Sequence, residues 1–245
     1  MIRIALVVIF VVTFLILSIP VFLIEWIIGK FNPRLRDISS LRIVQTAFKG
    51  VLLLSGTRLT VIGRERIPRD KPVLYIGNHR SMFDIPVVYS LCPDLTGFMS
   101  KIEIAKVPLL STWMRFLHCV FLNRGDKRAG IMSVNESINN VKNGVSMVIF
   151  PEGTRSKGEE GDMLEFKPGS FKVAQRTGCP VVLVALNNTR AAFEAQFPKI
   201  RKTHIVVEFS EPFTMADTGF TNIKDLSSHC QEQLREMIAN NKTLV

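Results

Sequence analysis

The chain is expected to fold as an α/β protein, with a mainly parallel central sheet flanked by helices and an N-terminal helical membrane anchor. Three observations predict this. Short apolar runs rich in Val and Ile alternate with segments of helical periodicity, the pattern of strands joined by crossover helices. No internal repeat or low-complexity linker interrupts them, so residues 57–245 are read as one domain. Ahead of them lies a long stretch without a single charge.

That stretch covers 4–24, where only Thr13, Ser18 and Pro20 break an aliphatic and Phe run. About 20 such residues make a helix of roughly 30 Å, enough to cross a hydrocarbon core. Arg3 ahead of the run also suits a signal peptide, but the run exceeds a typical h-region and no A-x-A-like site follows it. Glu25, Trp26 and Lys30 suit a headgroup interface. A second stretch carries Ile43, Val44, Ala47, Phe48, Val51, Leu52 and Leu54 at helical spacing, with Arg42 and Lys49 between them. That is the pattern of a basic amphipathic helix at an anionic surface. Residues 1–56 are therefore read as a two-helix membrane anchor with its basic residues on the cytoplasmic side, and the catalytic domain with them.

Strands are predicted over 59–62, 73–76, 95–99, 120–122, 146–150, 181–186 and 205–209. Helices are predicted over 85–91, 109–117, 127–142, 170–177 and 223–239, the last with Leu226, Leu234, Met237 and Ile238 on its apolar face. In such sheets, chemistry collects in loops after the C-terminal ends of strands. Residues 78–84 and 151–156 occupy that position.

Composition narrows the partners. A net charge of +10 attracts polyanions, either nucleic acid or anionic lipid. A single-strand binder stacks bases on aromatics, and only two Tyr and two Trp accompany 17 mostly core-like Phe; nucleic acid is not the expected partner. The apolar N-terminus favours anionic membrane lipid. Cys92, Cys119, Cys179 and Cys230 are scattered and form no C-x-x-C pair, against both a disulfide framework and a zinc site.

Three segments carry chemistry. In NHRSMFD (78–84), a histidine suits proton removal at neutral pH, and a carboxylate five residues on can hold its tautomer. The bland alternative is that Ser81 caps a helix, Asp84 sits in its first turn and His79 packs. In FPEGTRS (150–156), a turn of small residues exposes backbone N–H groups and Arg155 adds a forked cation, together a phosphate site; a solvated turn is the alternative. FLNR (121–124) delivers Arg124 to the same sheet edge, and Lys101 opens another loop; both also suit a charged surface.

In combination and order these segments resemble the glycerolipid acyltransferase family, specifically its 1-acylglycerol-3-phosphate acyltransferases. NHRSMFD matches the first block, NHxSxxD. The stretch from Lys101 through Pro108 to Arg124 resembles the second, FPEGTRS matches the third, FKPGSF (166–171) resembles its usual sequel, and GCPVV (178–182) the fourth. The resemblance covers roughly 57–210. It departs at His118, where the second block usually has glycine, and at Leu183, where the fourth usually has a second proline.

The resemblance implies that His79 is the general base and Asp84 its orienting partner. It assigns the acceptor phosphate to Arg124, Gly153, Thr154 and Arg155, with Lys101 adding charge, and places Pro180 in the acyl-donor region. Glu152 is left open between orienting an arginine and bonding the glycerol. The implied reaction esterifies lysophosphatidic acid from an acyl thioester, acyl-CoA or acyl-carrier protein, with no metal or redox cofactor because the thioester is already activated. No G-x-S-x-G elbow is present, which favours direct transfer. Rival readings are a glycerol 3-phosphate or other lysolipid acceptor, a non-catalytic anionic-lipid binder, and a lipid hydrolase, for which no nucleophile is recognisable.

Overall fold

The computed structural model describes residues 1–123 and 125–245. Seven strands form one sheet: β1 (Arg58–Ile62), β2 (Leu74–Gly77), β3 (Thr96–Lys101), β4 (Val120–Leu122), β5 (Ser146–Ile149), β6 (Val181–Asn187) and β7 (His204–Phe209). Their order is β1-β7-β6-β2-β5-β3-β4, parallel throughout except between β6 and β7. The helices are α1 (Ile2–Phe31), α2 (Pro33–Ser55), α3 (Asp84–Leu91), α4 (Leu110–Phe116), α5 (Lys127–Lys142), α6 (Lys172–Thr177) and α7 (Ile223–Asn241). Each predicted strand and helix has its counterpart, with ends shifted by a few residues.

The side-chain alternation of the strands builds two cores. Tyr75, Val148, Val182, Val184 and Leu186 face a layer containing α2, α3 and α4. Leu74, Ile76, Met147, Ile149, Val181, Leu183 and Ala185 face α5, α6 and α7. Because both faces are covered, the central strands are continuous apolar runs rather than half-polar ones; all seven residues of β6 are buried.

Connectivity opens a crevice at one edge. From β2 the chain passes through α3 to β3, beyond β5; from β5 it passes through α6 to β6, on the other side of β2. Two right-handed crossovers leaving in opposite directions must cover opposite faces, and α3 and α6 do lie in opposite layers. The C-terminal ends of β2 and β5 are thus neighbours at a topological switch point.

The N-terminal hairpin turns on Asn32, whose side chain accepts from the Leu35 N–H and caps α2. The helices pack closely enough that a Cβ on Gly50 would stand 2.5 Å from the Phe10 ring. Both are long and apolar enough to cross a membrane by length and composition. They differ in burial. The apolar face of α2, expected at a lipid surface, packs inward instead: Leu41, Val44 and Leu52 join the core with α3. Gln45 Nε2 donates to the carbonyls of Tyr89 and Cys92. Glu25, expected at a headgroup interface, is buried and accepts from Ser39 Oγ on α2. In contrast, α1 keeps Leu6, Ile9, Ile16, Leu17, Leu23 and Ile27 exposed. Its other face stacks Phe14 on Trp113 of α4 and packs a tilted Phe22 ring against the same indole.

Candidate active site

β2 is followed by Asn78, whose side chain both donates to the Leu186 carbonyl and accepts from the Leu186 N–H, each at 2.9 Å. This clamp ties β2 to β6 and fixes where the next residue leaves the sheet. That residue is His79. Its ring lies on Phe150, the first residue of the second motif, with centroids 4.5 Å apart and planes 12° from parallel.

His79 Nδ1 is 2.7 Å from Asp84 Oδ2, and the same oxygen accepts the Arg80 and Ser81 backbone N–H groups at 2.7 and 2.8 Å. Asp84 is fully buried at the start of α3. An ionised carboxylate only accepts, so Nδ1 carries the proton and Nε2 keeps its lone pair. A base with its tautomer held by a buried carboxylate is the result. Ser81 does not cap α3 as its position suggested; its hydroxyl donates to Glu194 Oε2 at 2.6 Å and accepts from the Phe83 N–H.

The turn after β5 is bound to the first loop through backbone groups. Glu152 Oε1 accepts the His79 N–H at 2.7 Å and Oε2 accepts the Leu164 N–H at 2.8 Å. The Ser156 N–H donates to the His79 carbonyl at 2.8 Å. Glu152 therefore positions the backbone of His79. Burial pushes its carboxyl above the usual range, against the two N–H donors, which favour the charged form. Gly153 has φ +70°, and a Cβ there would meet Lys167 Nζ at 2.6 Å. The left-handed backbone calls for glycine, whereas the end of the Lys167 side chain can move aside.

Glu194 was not singled out in the sequence. It lies in a short 3-10 turn, Glu194–Gln196, after β6. Its carboxylate takes the Ser81 hydroxyl, the Met82 N–H and Arg155 Nη1, the last two at 2.7 Å. A lone glutamate in an irregular segment gives no periodic or motif signal; only folding brings it to the site. Arg80, buried, donates to the Gly158 carbonyl and stands 3.9 Å from Glu160, closing the same loops together.

The predicted site residues thus sort by placement. His79, Asp84, Glu152, Gly153 and Arg155 are joined at one edge, with Thr154 exposed in the same turn. Lys101 ends β3 at that edge but pairs with Glu103 at 3.0 Å, half exposed. Arg124 lies outside the described residues. Pro180 is at the opposite end of the sheet, where its carbonyl accepts the Leu74 N–H at 2.9 Å. The six residues from Pro180 to Leu186 separate it from the Asn78 clamp by roughly 20 Å of strand. It supports strand pairing and does not reach this edge.

Among the described residues no three or more His, Cys, Asp or Glu gather as a metal group. A cavity of 590 Å³ between β7 and α7 is lined by Glu208, Glu211, Asp217 and Glu236 with Arg66 and His229, an acid-rich wall away from the His79 loop.

The two departures have physical readings. His118 has φ +55°, the left-handed region that explains the usual glycine, and its Nε2 is 2.7 Å from Asp37 Oδ2 on α2. The Leu183 N–H donates to Ser210 Oγ at 2.9 Å, a bond that proline would remove.

The model of a family described as Acyltransferase matches residues 58–187. The 1-acyl-sn-glycerol-3-phosphate acyltransferase of Saccharomyces cerevisiae is 29% identical over 183 residues, 74% of this chain and 60% of that one. The protein of the same name from Borreliella burgdorferi is 32% identical over 152 residues, 61% and 59% of the two chains. The chain thus spans about three-fifths of the length of these curated relatives. The solved structure of the 1-acyl-sn-glycerophosphate (LPA) acyltransferase of Thermotoga maritima superposes with TM-score 0.70 at 26% identity, covering 82% of this chain and 80% of that one. The family match begins at β1 and closes with β6, so it takes in the His79–Asp84 pair, the turn after β5 and the strand clamp that positions them: the chain belongs to the Acyltransferase family.

Proposed function

We propose that the chain transfers a fatty acyl group from an acyl thioester, acyl-CoA or acyl-carrier protein, to the free hydroxyl of 1-acylglycerol 3-phosphate, giving phosphatidic acid for phospholipid synthesis. The observation that carries this reading is the His79–Asp84 pair, with Nε2 free, tied through Glu152 and Ser156 to an Arg-bearing turn. The names of the yeast, Borreliella and Thermotoga relatives supply the acceptor.

His79 Nε2 takes the hydroxyl proton as the acceptor oxygen attacks the thioester carbonyl. The new C–O bond forms, the C–S bond breaks, and the proton goes to the departing thiolate. Asp84 holds the tautomer and stabilises the imidazolium. Arg155 and the Gly153–Thr154 turn take the acceptor phosphate, with Lys101 and Arg124 adding positive charge around it. The thioester is already activated, so the chemistry needs no metal or redox cofactor.

Residues 1–56 serve as the membrane anchor and 57–245 as the catalytic domain, on the cytoplasmic face. Within the anchor, α1 meets anionic lipid and α2 ties it to the domain. Support for α1 lying in one leaflet comes from its packing lengthwise along α2 and α4, which leaves a single apolar face outward.

The test is transfer of labelled oleoyl from its CoA thioester to lysophosphatidic acid by purified protein beside His79→Ala. Phosphatidic acid from the parent, with turnover at least about a thousandfold lower in the variant and unchanged melting, is expected. Near-normal turnover in the variant removes His79 as the base. No product with this acceptor, but product with glycerol 3-phosphate or another lysolipid, corrects the acceptor.

A further inference from the structure

Among the described residues outside the N-terminal hairpin, few large apolar side chains are exposed, and four of them lie in loops at the catalytic end of the sheet. They are Met82 after β2, Val107 beyond β3, Leu164 after β5 and Phe197 after β6. Phe197 is 73% exposed and Met82 59%, although Phe197 has a ring partner in Phe193, 5.5 Å away. Exposed apolar surface gathered in the loops at one end of a sheet, rather than scattered singly, is the kind that marks a membrane or partner contact.

The position of this segment says which phase. Ala192, Phe193 and Ile200 pack into the core layer shared with α2 and α3, so the loop is on the anchor's side of the sheet. It also abuts the end of the hairpin: the Arg58 N–H, three residues past α2, donates to the Thr203 carbonyl at 2.9 Å. Lys199, Arg201 and Lys202 are exposed in the same segment, while its acid, Glu194, is engaged by Arg155. Glu194 further holds the Met82 N–H, which fastens the loop carrying Phe197 to the loop carrying Met82 and His79. An exposed aromatic flanked by cations, beside the end of the N-terminal hairpin, matches the chemistry of an anionic bilayer surface.

We propose that Phe197 and Met82, with Lys199, Arg201 and Lys202, form a second membrane contact, a rim that dips into anionic lipid and admits the lysolipid acceptor to His79. The rim's role in acceptor entry rests on the transferase reading; its contact with lipid does not.

Two measurements on the full chain in liposomes test it. Because Cys92, Cys119, Cys179 and Cys230 are all buried, Phe197→Cys is selectively labelled with an environment-sensitive fluorophore. In liposomes containing phosphatidylglycerol, emission shifts to the blue and is quenched by acyl-chain nitroxides, more than in phosphatidylcholine alone. Water-like emission quenched by aqueous iodide overturns the membrane contact, whether or not the protein is active. For the acceptor role, Phe197→Asp lowers kcat/KM for long-chain acceptor in vesicles about tenfold, the scale of burying one aromatic side chain, and leaves a water-soluble short-chain acceptor unchanged. Equal loss on both acceptors, or none on either, overturns that role. A parent protein inactive on both, with lipid quenching intact, refutes the transferase reading alone.

Discussion

Among the described residues the protein holds two histidine–aspartate pairs closed at 2.7 Å: His79 with Asp84, and His118 with Asp37. They differ in everything around that distance. His79 offers Nδ1 to a carboxylate oxygen that also takes two backbone N–H groups, lies flat on Phe150, and points Nε2 away from its partner. His118 offers Nε2 instead, on a left-handed residue, to an aspartate already held by the Arg36 guanidinium. The first pair stands at the switch point beside the turn after β5; the second fastens β4's approach to α2. A hydrogen-bonded His and Asp therefore do not define a base. Which nitrogen is left free, and what chemistry faces it, does.

The comparison is broken most directly by treating both aspartates alike. Asp84→Asn is expected to lower kcat about a hundredfold or more through loss of the tautomer and of imidazolium stabilisation. Asp37→Asn should leave kcat within about a factor of two, since it removes a fastening far from the reacting atoms. Equal losses in steady-state transfer assays would erase the distinction between the pairs.

A smaller effect belongs to Arg155. Its Ala variant should raise KM for the phosphorylated acceptor about tenfold with kcat nearly kept, as one charge-assisted hydrogen bond is lost. Unchanged KM at low acceptor concentration removes the phosphate assignment.

Glu152 sharpens the comparison from below, as the backbone holder of His79. Its carboxyl is raised by burial, so between its unfolded and folded values the native state binds more protons than the unfolded one. Stability contributed by Glu152 is then greatest on the acid side and falls as pH rises through that window. Melting curves from acid to neutral pH should show this decline in the parent and a flatter profile in Glu152→Gln. Parallel profiles would sink the linkage.

The smallest effect is expected at His118→Gly. Relief of the left-handed backbone, worth about 1–2 kcal/mol, opposes loss of the Asp37 bond, worth about 1 kcal/mol, so melting temperature and activity should barely move. A large loss of activity would promote the second pair to a functional one.

Much of this was legible in the chain. Strand and helix identities followed from periodicity, because the central strands are buried on both faces and the helices on one. The two motif loops were weak signals singly; they became legible through their combination and order, in which they resemble the glycerolipid acyltransferases. The N-terminal hairpin was legible only in part. Composition marked both helices as apolar, but whether an apolar face meets lipid or core depends on what folds against it; α2 found α3, and α1 kept one face outward.

Sequence alone thus determined the strands and helices, through local pattern, and marked the candidate base with its aspartate through the resemblance that the motif segments carry in combination and order. Only the tertiary structure decided that Glu194 completes the site and that Glu152 holds the backbone of His79. These are contacts between segments 39 to 113 residues apart in the case of Arg155, Met82 and Ser81 with Glu194. No local pattern records which side chain will arrive from such a distance, because strand order, not sequence order, sets the neighbours.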